Sequence, residues 1–359
     1  MIRRNCLKVL GGALAATPFA FNFSWSQERT AQSAKSMNSI GLIKPKVLHE
    51  GDAVAVIAPA TVVSDPDDIA RAEEAAQYYG LKIIFGESLL KGSGYKTRTV
   101  EERIKDLHSA FSDKDIKAVF CIRGGYGSGT LLDKINYDLI KRNPKIFAGY
   151  SDITAMHLAI NKYSNLLTFH GPMMLSTFTE YTDINFKNAM FTTQPLGLLK
   201  NPDAKNNFRT KHPIRTIVPG TAKGSLTGGN LSLISSLMGT PYEIETKGKI
   251  LLIEDVGEEP FRIDRMLNQL RLAGKLQVAA GIVFGNFTDC DYSSPYSSRS
   301  WDYSLGESID NVMKDIPVPA FYGLDFGHTA DQLTLPLGLE VELDTSAGTL
   351  FFNEPATID

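Results

Sequence analysis

The sequence predicts an α/β protein: an open, doubly wound parallel sheet, then a smaller, β-rich domain with a few helices. Three observations carry this. From about residue 44 to 199, short apolar runs alternate with helical patterns, as in parallel strands joined by right-handed crossovers. Residues 200–219, rich in Asn, Pro, Lys and Arg, read as a linker. From 220 to 359 apolar strand patterns dominate.

The 359 residues suit about two domains. With 43% hydrophobic and 21% charged residues, the chain is neither a disordered tail nor a polytopic membrane protein. A net charge of −3 gives no general pull on nucleic acid, so no nucleic-acid partner is expected. Three cysteines, Cys6, Cys121 and Cys290, are too few for a disulfide framework or a Cys-rich zinc site.

Residues 1–40 have the layout of an export signal: Arg3 and Arg4, an apolar middle from residue 9 to about 23, then a polar spacer. Ile2-Arg-Arg-Asn-Cys-Leu-Lys8 resembles a twin-arginine signal, with Ile2 and Cys6 where Ser and Phe are usual. A Sec signal or an uncleaved anchor is the alternative. The middle falls short of the ~20 apolar residues of a comfortable span, so no stable membrane span is expected after signal removal. The expected location is periplasmic. Cys6 lacks the Leu-rich context of a lipoprotein cysteine.

The elements follow in order. Ala53-Val-Ala-Val-Ile-Ala58 is a strand covered on both faces. After Pro66, Ile69, Ala72, Ala76 and Tyr79 mark a helix stopped at Gly80, and 81–85 is a second strand. Thr99-Val-Glu-Glu102 is a capping box opening a helix with Ile104, Leu107 and Phe111 on one stripe. Strands at 117–122 and 146–150 each run into a helix start. In the second half, 249–254 and 278–287 are strands, with a helix between them that ends at Gly274. Residues 333–344 and 349–353 read as a hairpin around Thr345-Ser-Ala-Gly348. The polar, aromatic insertion 288–301 is either a cleft cover or a plain surface loop.

Two strand exits carry the chemistry. Cys121-Ile-Arg-Gly-Gly-Tyr-Gly-Ser-Gly129 lets backbone approach a ligand and leaves N–H groups for an anion, or is simply a tight turn. It is neither G-x-G-x-x-G nor a P-loop, which disfavours a nucleotide enzyme. In Phe147-Ala-Gly-Tyr-Ser-Asp-Ile-Thr154, Ser151 is either a helix cap or a nucleophile on a sharp strand–helix turn. Ile153 replaces the second Gly of G-x-S-x-G. A nucleophilic Ser needs a base and an orienting carboxylate. Among six histidines, His108 and His157 lie on helical patterns. His170 suits a site wall, and His328 follows a strand and opens a loop. Glu254 ends an apolar strand, where a carboxylate is costly unless paired or solvated.

Arg123-Gly-Gly-Tyr-Gly, Gly149-Tyr-Ser-Asp-Ile-Thr, His170-Gly-Pro, Leu252-Ile-Glu-Asp-Val with Arg262-Ile-Asp-Arg-Met-Leu, and Gly327-His328 occur in that order. Together they resemble the LD-carboxypeptidases, the muramoyltetrapeptide carboxypeptidase family of serine peptidases, from about Lys44 to the C-terminus. The resemblance implies a Rossmann-like sheet domain followed by a β-rich, barrel-like α+β domain. It implies a triad of Ser151, Glu254 and His328, and an oxyanion hole from the backbone N–H groups of Gly125 and Asp152. No metal or cofactor is implied, and members are often homodimers. The implied reaction removes the terminal D-alanine from murein tetrapeptides. Arg123, with Gly124, Tyr126 and His170, are the candidates for substrate contact. The rivals are a microcin-immunity peptidase that cleaves peptidyl-adenylates and a non-catalytic binder of cell-wall peptides.

Overall fold

The computed structural model describes residues 41–359 except Ser64, 91–97, 204–211 and 292–302. The export signal with Cys6, and most of the 288–301 insertion, lie outside the described residues.

β1 (Ala53–Ile57), β2 (Lys82–Phe85), β3 (Ile116–Cys121), β4 (Ile146–Gly149) and β5 (Thr168–His170) pair in parallel, in the spatial order β5-β4-β3-β1-β2. Among the described residues the helices α1 (Pro66–Tyr78), α2 (Glu87–Leu90), α3 (Val100–Ser112), α4 (Tyr137–Arg142), α5 (Thr154–Ser164) and α6 (Glu180–Met190) accompany them. Asp65 caps α1 by accepting from the Asp67 N–H, with Pro66 in the first turn. The expected capping box of Thr99 and Glu102 forms on α3. The doubly wound reading is visible within β1. Ala55 and Ile57 share a core with Leu107 and Phe111 of α3 and Ala155 and Met156 of α5. Val54 and Val56 share the opposite core with Ala72 and Ala76 of α1 and Phe186 of α6. Strict alternation sends successive side chains to opposite faces, each covered by helices.

The second sheet contains β6 (Gly197–Leu199), β7 (Arg215–Val218), β8 (Thr221–Asn230), β9 (Ile250–Val256), β10 (Gly281–Thr288) and β11 (Ala320–Leu324). After β12 (Leu335–Leu337), β13 (Glu340–Asp344) and β14 (Thr349–Phe352) complete it, in the order β6-β14-β13-β8-β9-β10-β11-β7. Its centre, β8 to β11, is parallel and its flanks are antiparallel. Helices α7 (Leu231–Ser236), α8 (Pro260–Leu272) and α9 (Leu305–Met313) complete the set. Both cores run on into this sheet: Leu251 and Ile253 join the first, Ile250 and Leu252 the second.

The structure departs from the sequence reading in two places. Residues 215–218 of the expected linker form β7, because the β-branched Thr216, Ile217 and Val218 suit an edge strand on β11. The expected 333–344 strand is split: only 340–344 forms the hairpin with β14. Leu335–Leu337 crosses to pair antiparallel with β5 of the first sheet, while β6 goes the other way. The two halves of the chain therefore exchange edge strands, which a linear reading does not reveal. Cys121 and Cys290 are both buried free thiols.

Candidate active site

The carboxyl ends of β3 and β4 set the first half of the site. β4 ends at Gly149, a 3₁₀ turn covers Ser151–Ile153, and α5 follows. Ser151 has φ +64°, a backbone conformation that costs a non-glycine residue roughly 1–3 kcal/mol. That sharp turn lifts the side chain to the rim of the sheet with a helical N-terminus directly behind it. Ile153, in place of the expected glycine, packs on Gly149, where a Cβ would meet it at 3.0 Å.

The glycine-rich loop after β3 is locked against this turn. The buried Asp152 carboxylate accepts from the Ser128 N–H at 2.7 Å, and Ser128 Oγ donates to the Asp152 carbonyl. The buried Arg103 guanidinium donates to the carbonyls of Pro59 and Gly127, at 2.6 and 2.8 Å. Thr61 accepts from the Tyr126 N–H and donates its own N–H to Gly124. A Cβ on Gly124 would lie 3.0 Å from Cβ of Ser151 and 3.2 Å from its Oγ, so only glycine leaves that side of the hydroxyl open. Among the described residues, neither the Gly125 nor the Asp152 N–H donates to a protein acceptor.

The other half comes from the second sheet. His328 Nε2 lies 3.0 Å from Ser151 Oγ, and its Nδ1 lies 2.7 Å from Glu254 Oε2. An ionised carboxylate only accepts, so Nδ1 carries the proton and Nε2 presents its lone pair to the serine O–H. Glu254, on β9, is fully buried, and burial raises its carboxyl above the usual range while the His328 hydrogen bond opposes that shift. Its Oε1 has no hydrogen-bond partner among the described residues. Tyr150 meets the His328 ring edge-on at 5.0 Å. β8 closes the join: the Asn230 N–H donates to Thr154 Oγ1 at 3.0 Å, and the Gly229 backbone leaves no room for a Cβ beside Thr154.

Ser151 and His328 open onto a cleft of about 370 Å³, with Arg123, Gly124, Gly125 and Tyr150 on its walls. The Arg123 side chain makes no hydrogen bond or ion pair among the described residues. Two candidates for substrate contact fall elsewhere. Tyr126 is 74% exposed and outside the cleft lining, because Gly125 and Gly127, both at positive φ, turn the chain away on either side of it. His170 is completely buried among Tyr150, His157 and Phe326, behind the site instead of on its wall. Burial pushes His170 down to about 3 and His157 to about 4, so both rings stay neutral. His157 donates from Nε2 to the Gly149 carbonyl at 2.8 Å and braces the turn from below. Asp68 and Arg71 of α1 also line the cleft, and the sequence reading passed over them. The available signal was their i,i+3 spacing in the helix that leaves the carboxyl end of β1, the ligand end of such a sheet.

Two family models match the chain: the LD-carboxypeptidase N-terminal domain over residues 54–171 and the LD-carboxypeptidase C-terminal domain over residues 223–343. A relative from Bacillus subtilis, named "Probable murein peptide carboxypeptidase", is 40% identical over 307 residues, 85% of this chain and 93% of the relative. The muramoyltetrapeptide carboxypeptidase structure from Oxalobacter formigenes superposes with a TM-score of 0.71 at 28% identity, covering 84% of this chain and 99% of that one. The microcin C7 self-immunity protein MccF in its apo state gives 0.76 at 25% identity, covering 88% and 100%.

Proposed function

The chain belongs to the LD-carboxypeptidase family of serine peptidases, and from that premise we propose that it removes the terminal D-alanine from murein tetrapeptides through an acyl-enzyme on Ser151. The observation that carries this is the continuous chain Ser151 Oγ, His328 Nε2, His328 Nδ1, Glu254 Oε2, with steps of 3.0 and 2.7 Å, at the mouth of a cleft lined by Arg123.

Ser151 Oγ attacks the carbonyl carbon of the bond joining an L-centre to the terminal D-residue, and its proton passes to His328 Nε2. The oxyanion forms in front of the helical N-terminus, where the N–H groups of Gly125 and Asp152 are the donors. The C–N bond then breaks, and His328 returns the proton to the leaving amine. Water enters, gives a proton to His328 and releases the tripeptide acid, restoring the Ser151 hydroxyl. Glu254 holds the imidazole tautomer and stabilises the imidazolium as it forms. Arg123 receives the terminal carboxylate, for which a guanidinium is suited by its two parallel N–H groups.

Arg3-Arg4 and the apolar segment after them support a site of action outside the cytoplasm, where murein is found and where peptidyl-adenylates do not arise. The homodimer that the resemblance implies is checked by sedimentation equilibrium of the mature protein. The reaction is tested by mass spectrometry of purified muropeptides incubated with the unaltered enzyme and with Ser151→Ala. Loss of one alanine from tetrapeptides by the unaltered enzyme alone is expected. Cleavage of a peptidyl-adenylate with no muropeptide trimmed replaces this reading with the immunity-type one. Inertness toward both leaves a peptide-binding protein.

A further inference from the structure

Asp68 and Arg71 sit on α1, one helical turn apart, and line the same cleft as Ser151, His328 and Arg123. Arg71 Nη2 donates to Asp68 Oδ1 at 2.7 Å, and Arg71 Nε reaches the Asp67 carbonyl at 3.4 Å. Each partner thereby keeps one edge free among the described residues: Oδ2 of Asp68 accepts nothing, and Nη1 of Arg71 donates to nothing. A helix-surface pair whose arginine is largely exposed contributes little to the fold, so stability does not account for its place in the nucleophile's cleft. Its charges cancel at a distance, so it attracts neither a lone ammonium nor a lone carboxylate. A group carrying both charges on neighbouring atoms meets it head to tail, ammonium on Asp68 and carboxylate on Arg71. The cleft also offers apolar surface from Leu175 and, over a small area, Met173, suited to a methylene arm leading to such a group.

We propose that Asp68 and Arg71 read the far end of the substrate side chain on the acyl side of the cleaved bond, and select a side chain that ends in a zwitterion, an ammonium and a carboxylate on one carbon, over one that ends in an ammonium alone. In murein peptides this distinguishes diaminopimelate from lysine at the third position. The inference rests on the carboxypeptidase reading, with Arg123 already assigned to the terminal carboxylate.

The test is calorimetric titration of Ser151→Ala, which binds without turnover, with two tetrapeptides that differ only in diaminopimelate or lysine at the third position. The diaminopimelate peptide is expected to bind about tenfold more tightly. In Ser151→Ala/Arg71→Ala and Ser151→Ala/Asp68→Ala that preference collapses toward one, with melting temperatures confirming that both variants fold. In the active enzyme, Arg71→Ala raises KM for the diaminopimelate peptide by about tenfold and alters kcat by less than about twofold. Equal affinity of Ser151→Ala for the two peptides, or a preference that survives both double variants, overturns the inference and leaves the carboxypeptidase reading intact. A preference that depends on Arg71, with neither peptide trimmed by the unaltered enzyme, keeps the recognition and removes the reaction.

Discussion

The nucleophile and its base are held in place by different physics. Ser151 is fixed by backbone: the end of β4, a positive φ, a 3₁₀ turn and α5 leave its Cβ almost no freedom, and Gly124 closes over it. His328 lies between β11 and β12, on the stretch where the chain crosses from the second sheet to the first, and belongs to neither a helix nor a strand. Polar contacts hold that stretch. Thr288 Oγ1 donates to the His328 carbonyl, Gln332 Nε2 to the Gly327 carbonyl, and Thr179 Oγ1 to Asp331. Asp325 is anchored by Asn286 and through its N–H by Asn201. A backbone-built position is lost only by substitutions that change φ or volume. A position built from side-chain hydrogen bonds is eroded one contact at a time.

Breaking the link between the two halves gives the largest effect. Glu254→Gln keeps the shape of the site but lets the amide donate to Nδ1, turning the wrong tautomer toward Ser151. A loss on the order of 10⁴-fold in kcat is expected, with KM little changed. The same link sets the acid limb. Burial raises the Glu254 carboxyl, so its ionised, orienting form is lost as pH falls through a point above the ordinary carboxylate range, not within it. An acid limb unchanged in Glu254→Gln would argue that the carboxylate does not orient the base.

Two glycines compare the halves directly. At Gly327, φ is +82° and a Cβ would sit 2.3 Å from Glu254 Oε2, so Gly327→Ala must displace the carboxylate or the His328 segment. We expect kcat to fall about 10²-fold, by analogy with a misplacement of roughly 1 Å, together with a loss of about 1–3 kcal/mol in stability. At Gly124 no positive φ is involved, and the added methyl would lie 3.0 Å from Ser151 Cβ. Gly124→Ala is expected to cost about tenfold in kcat and under about 1 kcal/mol in stability, because the backbone-built side has only to shift slightly. Paired denaturant melts and steady-state rates decide. If Gly124→Ala is the more damaging of the two, the contrast between the halves is wrong.

The same contrast explains what can be read from the sequence. The strand–helix alternation of the first half, the capping box of α3 and the exits of β3 and β4 are local patterns, and they appear where they are expected. Ser151, Glu254 and His328 are each explicable alone as a cap, a paired carboxylate or a loop residue, and only their joint order along the chain singles them out. Positive φ at Ser151 leaves no mark in its residue type. Adjacency in sequence misleads for Tyr126, which the neighbouring glycines turn outward, and for His170, which a strand end buries behind the site. Asp68 and Arg71 carry no motif of their own, and only the fold, which sets β1 beside β3, brings them to the cleft. The crossing of Leu335–Leu337 into the first sheet depends on a long-range pairing that no local periodicity encodes.

The smallest effect sharpens the comparison most, because it probes the polar side without touching the triad. Asp325 is buried at the end of β11, three residues before His328, and burial raises its carboxyl to about 6. His212 and Asn286 pull it down, and Asp331 pushes it up. His212 Nδ1 lies 2.5 Å from Asp325 Oδ2, at ion-pair distance, and its Nε2 faces Asp331 Oδ2 at 3.4 Å. A carboxyl raised by folding contributes stability that is fully present below its unfolded value and is lost as pH rises through the folded one. The unaltered protein should therefore lose stability between about pH 4 and 7, by roughly 2–3 kcal/mol at most, or a few degrees in Tm. Asp325→Asn retains an oxygen for Asn286 and removes the titration, so its Tm should be flatter over that window while kcat falls less than about threefold. If its Tm keeps the slope of the unaltered protein, Asp325 is not the titrating group, and the segment that carries His328 is held by its uncharged hydrogen bonds alone.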